Sequence, residues 1–408
     1  MSEDRVQSAE EPPVESRPPP ASNGRPIVVD PDLDFIRAVV DQAGPTFKRC
    51  FQCGTCSSTC ELSPTEDPFP RKEMSWAGWG MAAKLKRDAD VWLCHQCNDC
   101  TTNCPRGGRP GDVLAAVRME QILTYSWPRF LAAWARKPSY APLLIFFPAA
   151  LLALAVWFEP EILAALGLAL EAGQPVSYPY SAPLPHGLIN LLFGTAFLIV
   201  IVLTSIGARR FWRGLKEGVP PDRWGKNQLG KSIGKTIANV MLHRDFTQCS
   251  KAANRYFAHT MLFYGFIALT VVTIVTITHR FNPLVTGEFL YPFHFFSPWK
   301  ILANLGGIGV VAGCFLMIRD RFVEHEGAGR STWFDWSLLW LIMFVALSGF
   351  AVEALHYMRL EPHRHAAYFV HLLLILTLFL YLPYSKFAHV VYRFVALVFI
   401  EWTGRREA

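Results

Sequence analysis

The sequence predicts an all-α protein in two parts, a small helical domain followed by a bundle of six membrane-spanning helices. Hydrophobic residues make up 51% of the 408 residues and charged residues only 18%, a balance that a single soluble domain does not have. Eight of the ten cysteines lie before residue 105, whereas every long apolar run lies after residue 138. These runs are about 20 residues long, the length of a helix that crosses a bilayer.

The chain is predicted to have five segments. Residues 1–30 are rich in Pro, Ser and Glu and lack the apolar stretch of a signal peptide, so we predict a disordered leader there. In chain order, the other segments are the cysteine-rich domain (31–120), an interfacial linker helix (121–138), the membrane domain (139–400) and a cytoplasmic tail (401–408). Without an export signal the cysteines are expected in the reducing cytoplasm, where they bind metals more often than they form disulfides.

Two runs of four cysteines share the spacing C-x2-C-x2-C-x3-C. This spacing is typical of two-cluster ferredoxins, in which three cysteines of one run and the fourth of the other bind each [4Fe–4S] cluster. The predicted ligands are Cys50, Cys53, Cys56 and Cys104 for cluster 1, and Cys94, Cys97, Cys100 and Cys60 for cluster 2. The alternative, a four-cysteine zinc site, usually has two CxxC pairs. We therefore predict a small helical two-[4Fe–4S] ferredoxin domain, with one helical segment at roughly Phe69–Arg87 between the runs.

Six apolar runs define the predicted membrane spans. They are centred on Ala141–Phe158, Leu188–Ile206, Tyr256–Ile277, Ile301–Ile318, Trp336–Leu355 and Ala366–Tyr384. Eleven Lys and Arg residues lie between Arg209 and Arg255, and none lies in Glu159–Gly187. By the positive-inside rule both termini are cytoplasmic in a multi-pass protein of the cytoplasmic (inner) membrane. Since these loops explain the net charge of +6, we predict no nucleic-acid partner.

Three histidines lie in or beside the apolar spans, where an ionisable residue is costly and usually functional. His259 is one turn inside the third span, His371 is two turns into the sixth, and His389 follows 18 residues later. Eighteen residues are five helical turns, so a straight helix would place His371 and His389 on one face about 27 Å apart. This is typical of a cytochrome b-type bundle with a haem at each leaflet. We predict that His259 and His389 bind the inner haem b.

The outer haem would take His371 and a second ligand that is left open among three histidines near the outer surface: His279, His294 and His356. The prediction is therefore at least one haem b, and two if His371 binds one. Glu353, three residues before His356 and on the same helix face, is a candidate for quinone binding or proton transfer.

Together these motifs resemble the family of C subunits of quinone-interacting membrane-bound oxidoreductase complexes. That family joins a ferredoxin domain like the heterodisulfide reductase C subunit to a cytochrome b domain like nitrate reductase gamma. The resemblance runs from about Asp34 to Glu401, and its most specific stretches are Pro68–Met74, Trp92–Cys100, Cys104–Gly107, Pro110–Val113 and Pro383–His389. It implies haem b, a quinone, two cytoplasmic flavin/iron–sulfur partner subunits, and adenylylsulfate reductase of dissimilatory sulfur metabolism.

The function predicted from the sequence is membrane-bound electron transfer between the quinone pool and cytoplasmic flavin/iron–sulfur subunits. The chain would be a component of a quinone-linked oxidoreductase and not catalytic alone. A heterodisulfide reductase-type electron-transfer subunit is one alternative. A membrane anchor or redox sensor with structural clusters is another, although an anchor does not require histidines at both leaflets. A transporter is disfavoured, because the spans show no inverted repeat.

Overall fold

The computed structural model describes residues 30–158, 161–162, 186–247, 253–278, 293–323 and 329–405. From Pro31 onward the chain forms one compact unit. The described residues form helices and no strand, and six of these helices are long and apolar enough to cross a membrane. The predicted all-α fold with six spans is confirmed.

The cysteine-rich domain and the segment after it contain seven α-helices. They are α1 (Leu33–Ala43), α2 (Thr55–Ser58), α3 (Arg71–Gly78), α4 (Ala82–Lys86), α5 (Asp99–Thr102), α6 (Pro110–Tyr125) and α7 (Arg129–Ala135). The predicted helical segment at Phe69–Arg87 is present as two helices, because Gly80 separates α3 from α4 with a φ of 67°, a conformation that glycine adopts without steric cost. Its carbonyl accepts a hydrogen bond from the amide of Asp32 at 3.0 Å, which joins this turn to the start of α1.

In the residues that the structure describes after α7, nine further α-helices follow. They are α8 (Ala141–Trp157), α9 (His186–Gly218), α10 (Leu229–Leu242), α11 (Arg244–Thr247), α12 (Ala253–Thr278), α13 (Pro298–Val323), α14 (Trp333–Tyr357), α15 (His363–Tyr381) and α16 (His389–Trp402). The candidate spans lie in α8, α9 and α12 to α15. The predicted linker at 121–138 contains the end of α6 and the separate helix α7.

Helix α9 extends beyond the membrane and into the core of the cysteine-rich domain. Its 33 residues are about 50 Å long, whereas the hydrocarbon layer is only about 30 Å thick. At its C-terminal end, Phe211 and Leu215 are fully buried. The Phe211 ring lies 6.3 Å from that of Trp92 in the cysteine-rich domain, and Trp92 stacks on Tyr392 of α16 at 6.1 Å. One hydrophobic core therefore holds the cysteine-rich domain, α9 and α16 together.

Helices α12 and α13 pack through glycines. A Cβ added at Gly265 would lie 2.6 Å from the carbonyl oxygen of Gly306, and one at Gly313 would lie 2.7 Å from that of Ala258. Such distances are too short for any side chain, so the two backbones touch, as they do in membrane helix pairs with small residues at the interface. This contact fixes the helix that carries His259.

The chain turns sharply between α15 and α16. Helix α15 ends at Tyr381 and α16 begins at His389. Pro383 lies in the connection and has no amide hydrogen to continue a helix, and its carbonyl accepts a hydrogen bond from the Ser126 hydroxyl at 3.1 Å. The prediction that His371 and His389 share one helix face is therefore wrong. His389 instead begins a separate helix that packs against the cysteine-rich domain.

Candidate functional site

The two cysteine loops follow the same backbone path. Gln52 and Gln96, two residues after the first cysteine of each run, have φ values of 65° and 57°. Gly54 and Asn98, each directly after the second cysteine, have φ values of 85° and 67°. The short helices α2 and α5 then begin and pack against each other. Left-handed residues within a turn aim successive amide groups toward its concave side, which suits an anionic cluster.

Each predicted ligand set lines a cavity of its own. Four cysteines lie around the first cavity, Cys50, Cys53, Cys56 and Cys104, and four around the second, Cys60, Cys94, Cys97 and Cys100. The fourth cysteine of each run thus lies beside the other run's loop. In the described part of the chain, no three cysteine sulfurs lie within 4.8 Å of one another. Tetrahedral zinc with bonds of about 2.3 Å would hold its sulfurs about 3.8 Å apart, so these sets fit a larger cluster better.

Several cysteine sulfurs already accept hydrogen bonds. The Gln96 amide donates to Cys94 Sγ and the Gly108 amide to Cys104 Sγ, both at 3.2 Å. Hydrogen bonds to the sulfurs are among the factors that set the reduction potential of an iron–sulfur cluster. Burial raises the pKa of the Cys60 thiol to about 12, so this cysteine is protonated at neutral pH until iron displaces the proton.

The loop of cluster 2 is held by the start of α6. A Cβ at Gly111 would collide with Asn98 Oδ1, so glycine lets α6 begin directly beneath the buried Asn98 side chain. The next residue, Asp112, accepts a hydrogen bond from the Arg330 amide at 2.9 Å and pairs with Arg109. The Pro110–Val113 stretch therefore both supports the cluster loop and binds the segment that leads into α14.

Two of the predicted haem ligands lie at the end of the membrane bundle that meets the cysteine-rich domain. His389 is oriented by its own turn, in which its Nδ1 donates to the Lys386 carbonyl at 2.6 Å. A metal-binding histidine commonly has its second ring nitrogen fixed in this way. Burial lowers the pKa of His389 to about 3, and His259 is close enough to contribute to the shift. The imidazole is therefore neutral, the form that binds metals.

A third histidine, His243, completes this cluster. It ends α10 in a left-handed conformation, and its ring lies 5.4 Å from that of His259 and 4.8 Å from that of Phe263. The donor set of two or three imidazoles, neutral at His389 and enclosed between helices, fits an axially ligated haem.

The cluster 2 loop is joined to both helices that carry these histidines. Arg393, one turn after His389, donates to the Cys94 carbonyl at 3.3 Å and to the His95 ring at 2.8 Å. Arg255, one turn before His259, donates to the Gln96 carbonyl. A cavity beside this contact is lined by residues of both parts, including Gln96 and His389.

His371 and His294 are placed differently. His371 makes a 2.9 Å hydrogen bond through its Nδ1 to Ser348 of α14, and its ring lies against Gly349, where a Cβ would come within 3.2 Å. His294 lies on an exposed turn and accepts from the Phe296 amide at 3.4 Å. His279 lies outside the described residues. His294 as the second ligand beside His371 therefore stays a prediction.

Glu353 forms an ion pair at the same end of the bundle. Its carboxylate lies 3.0 Å from Lys300 Nζ and accepts a hydrogen bond from the Asn304 side chain at 3.2 Å. Both partners belong to α13. The Glu353 carboxylate, predicted as a quinone or proton site, therefore joins α14 to α13 through these two contacts.

Sequence reasoning missed Arg255, Arg393 and His95, and it assigned no role in metal binding to His243. One signal was present, since each arginine lies four residues from a predicted haem ligand. No such signal marked His243, which lies in a charged connection after α10. Only the fold shows that its ring lies near that of His259.

Comparison with known proteins supports both halves. Residues 137–408 match the Citrate utilization protein B family, and residues 46–107 match the 4Fe-4S dicluster domain. The chain belongs to the Citrate utilization protein B family. It is 24% identical over 367 residues to Citrate utilization protein B of Escherichia coli, an alignment that covers 86% of this chain and 88% of that protein.

Other relatives match shorter stretches of the chain. The C subunit of the H(2):CoB-CoM heterodisulfide,ferredoxin reductase of Methanothermobacter marburgensis is 29% identical over 89 residues, 22% of this chain and 48% of that protein. The chain thus spans about half the length of that relative. The E subunit of the dihydromethanophenazine:CoB–CoM heterodisulfide reductase of Methanosarcina thermophila is 23% identical over 182 residues, 41% of this chain and 69% of that protein. No solved structure matches the chain.

These matches establish a 4Fe–4S dicluster domain on a chain with six membrane-type helices. These relatives are named as subunits of heterodisulfide reductases, and a further one, from Methanopyrus kandleri, is named as an iron–sulfur subunit. The chain is therefore related to electron-transfer subunits that work with partner subunits.

Proposed function

We propose that this chain is a membrane-bound electron-transfer subunit that exchanges electrons between a membrane quinone and soluble flavin/iron–sulfur partner subunits. One observation supports the proposal most directly: Arg393 and Arg255 each join the cluster 2 loop to a helix that carries a predicted haem ligand, His389 and His259 respectively. Two [4Fe–4S] clusters and haem b supply the one-electron chemistry when bound, and the protein supplies position and electrostatics.

Within this proposal the histidines at the two ends of the bundle would hold two different haem b groups. His259 and His389 would hold the haem nearer the cysteine-rich domain, and the Lys386 carbonyl, which accepts from Nδ1 of His389, leaves Nε2 of that ring as the nitrogen available for a metal. At the other end of the bundle, His371 binds a second haem, oriented by Ser348. Glu353, paired with Lys300, is the candidate quinone or proton site there.

The contacts also order the two clusters. The loop of cluster 2 touches residues of α12 and α16 through its carbonyls, whereas the loop of cluster 1 has an exposed ligand, Cys53. We therefore place cluster 2 next to the membrane haem and cluster 1 next to the soluble partner. As predicted from the loop charges, the cysteine-rich domain would face the cytoplasm.

Two identities for the soluble end follow from different observations. The family resemblance of the motifs implies adenylylsulfate reductase, reached through two flavin/iron–sulfur subunits. The match over 88% of Citrate utilization protein B favours a second candidate, an oxidoreductase of citrate utilisation. Adding each soluble enzyme with its substrate to the reduced or oxidised chain and recording cluster absorbance distinguishes them, because only the true partner changes the redox state.

The decisive experiment is a reduced-minus-oxidised optical spectrum of the purified full-length protein with iron and haem quantitation. We expect a b-type band and about eight non-haem irons per chain, four for each cubane. His389→Ala should remove the haem nearer the cysteine-rich domain and leave the irons. The exposed His363 supplies the matched control, since His363→Ala should change neither. A chain with no b-type band, or one that keeps all its haem after His389→Ala, would contradict the assignment.

A further inference from the structure

The loop of cluster 1 presents an exposed aromatic side chain beside an exposed ligand. Phe51, between the first two ligands of the run, is 59% exposed, and Cys53 is exposed as well. The guanidinium carbon of Arg106 lies 5.9 Å from the centre of the Phe51 ring. Aromatic and arginine side chains are the residues that most often anchor protein interfaces.

The surroundings of the two clusters carry opposite charges. Arg71 and Arg106 line the cavity of cluster 1, and none of the described residues around it is a carboxylate. Glu61 and Asp99 line the cavity of cluster 2 instead. Four exposed basic residues lie near Phe51. Lys48 and Arg49 precede it in the sequence, and Arg71 and Arg106 line the same cavity. We call Phe51 with these four residues the Phe51 face.

We propose that the Phe51 face is the docking surface for an acidic redox protein that exchanges electrons with cluster 1. The inference rests on the proposed function, in which cluster 1 is the cluster next to the soluble partner. A cationic rim attracts an acidic surface and raises the encounter rate, and Phe51 provides the apolar centre that such small, transient interfaces need. The membrane is not the occupant, because the cluster 2 loop makes the contacts with the membrane helices.

The test uses two soluble redox proteins of opposite charge: plastocyanin, which is acidic, and cytochrome c, which is basic. The full-length protein in detergent is reduced with dithionite, and its oxidation by each protein is followed by stopped flow. We expect plastocyanin to react faster, and its rate constant to fall as salt increases, because exposed charges more than about 10 Å apart are screened at about 0.1 M ionic strength.

Three variants separate charge from apolar contact. Arg71→Gln/Arg106→Gln should slow plastocyanin at low salt by about tenfold or more without slowing cytochrome c. Phe51→Ala should slow plastocyanin by about fivefold or more, the effect of losing an interface anchor. Arg37→Gln/Lys84→Gln, which removes two exposed charges elsewhere on the same domain, should change neither rate. Iron content measured on every variant shows that the clusters are retained.

The outcomes are distinct. Variants that keep their iron and react with plastocyanin at the wild-type, salt-independent rate overturn the docking surface and leave the proposed function standing. The docking surface is also overturned if the substitutions abolish binding to anionic vesicles while the plastocyanin rate is unchanged. A wild-type chain without reducible iron–sulfur clusters overturns both proposals.

Discussion

We expect Lys72→Met to destabilise the cysteine-rich domain strongly while sparing the metal ligands. Lys72 Nζ lies 2.5 Å from a carboxylate oxygen of Asp90, 3.4 Å from Glu73 and 3.5 Å from Asp88. The three carboxylates are close enough together to bind a metal ion, and the ammonium group of Lys72 is the cation among them. Arg405, near the end of the chain, adds a second cation 2.8 Å from Asp90.

The charges balance if Glu73 holds a proton. Burial, reinforced by Asp88, raises the pKa of Glu73 well above its usual value. Burial raises the pKa of Asp90 too, but Lys72 and then Arg405 outweigh it and leave that pKa lowered. Two carboxylates, at Asp88 and Asp90, then face two cations. Lys72→Met leaves one buried negative charge without a partner.

The expected loss is about 3–5 kcal/mol, the cost of removing one partner of a buried ion pair. Coulomb's law agrees, since two charges about 4 Å apart interact by about 4 kcal/mol at an effective dielectric constant of about 20. Each 1.36 kcal/mol is about a factor of ten in rate. If most of this loss falls on the unfolding step, the bleaching of the iron–sulfur absorption in urea should accelerate about 100-fold or more.

Two companion variants identify the cause. Lys84 also lies over the Trp76 ring, at 5.3 Å against 5.5 Å for Lys72, but it is exposed, so Lys84→Met should have little effect. Adding Asp88→Asn to Lys72→Met removes the unpartnered charge and should recover much of the loss.

The effect of pH has a definite sign. Burial raises the pKa of Asp88 in the folded protein, and losing Lys72 raises it further. A group with a raised folded pKa destabilises the fold as pH rises above its unfolded value of about 3.9. The deficit of Lys72→Met should therefore be largest at neutral pH and shrink toward pH 4. Equal bleaching rates for Lys72→Met and Lys84→Met, or no rescue by Asp88→Asn, would refute this account.

Three further substitutions test the site and the fold. Arg393→Gln should loosen the cluster 2 loop, so that the potential of cluster 2 shifts in a spectroelectrochemical titration while that of cluster 1 does not. Gly111→Ala should lose cluster 2 first, with iron falling from about eight toward about four per chain, because its Cβ collides with Asn98. Gly265→Val should separate α12 from α13 at Gly306 and lower the yield of folded protein by size-exclusion chromatography.

The controls for these substitutions are glycines with free space around them. A Cβ at Gly78 or at Gly194 would meet no atom within 4 Å. Gly78→Ala on α3 should therefore keep about eight irons, and Gly194→Ala on α9 should keep the wild-type yield. Full iron content in Gly111→Ala, or a normal yield of folded Gly265→Val, would contradict the expectation. It would show that the neighbouring residues move aside without loss of stability. An unchanged cluster 2 potential in Arg393→Gln would show that the arginine does not shape that site.

The cysteine spacing could predict which cysteines come together around each cavity because the chemistry is local, whereas the ligands of each cluster stay a prediction. Three ligands within seven residues, such as Cys50 to Cys56, leave the backbone few ways to wrap one cavity. The fourth cysteine of each run, Cys60 or Cys104, follows the short helix α2 or α5, which carries the chain from its own loop to the other cavity. The six spans were predictable for a similar reason, since bilayer thickness sets their length.

The path of the chain after α15 was not predictable in the same way. Pro383 can kink a membrane helix or end it, because neighbouring groups can satisfy the backbone that it frees. In the structure the helix ends before Pro383, and the Ser126 hydroxyl donates a hydrogen bond to the Pro383 carbonyl. Ser126 lies 257 positions earlier in the chain, so no local pattern around Pro383 reveals this partner.

That turn has a consequence for electron transfer, because one hydrophobic core positions both metal-binding segments. Trp92, two residues before Cys94, stacks on Tyr392, three residues after His389, and both contact Phe211 of α9. A packed aromatic core deforms little, since its side chains fill the space at nearly crystalline density. The separation between cluster 2 and the haem proposed at His389 is therefore set by ring packing, and the Arg393 hydrogen bonds orient the loop within it. A straight sixth helix would have carried His389 about 12 Å beyond Tyr381 and away from this core.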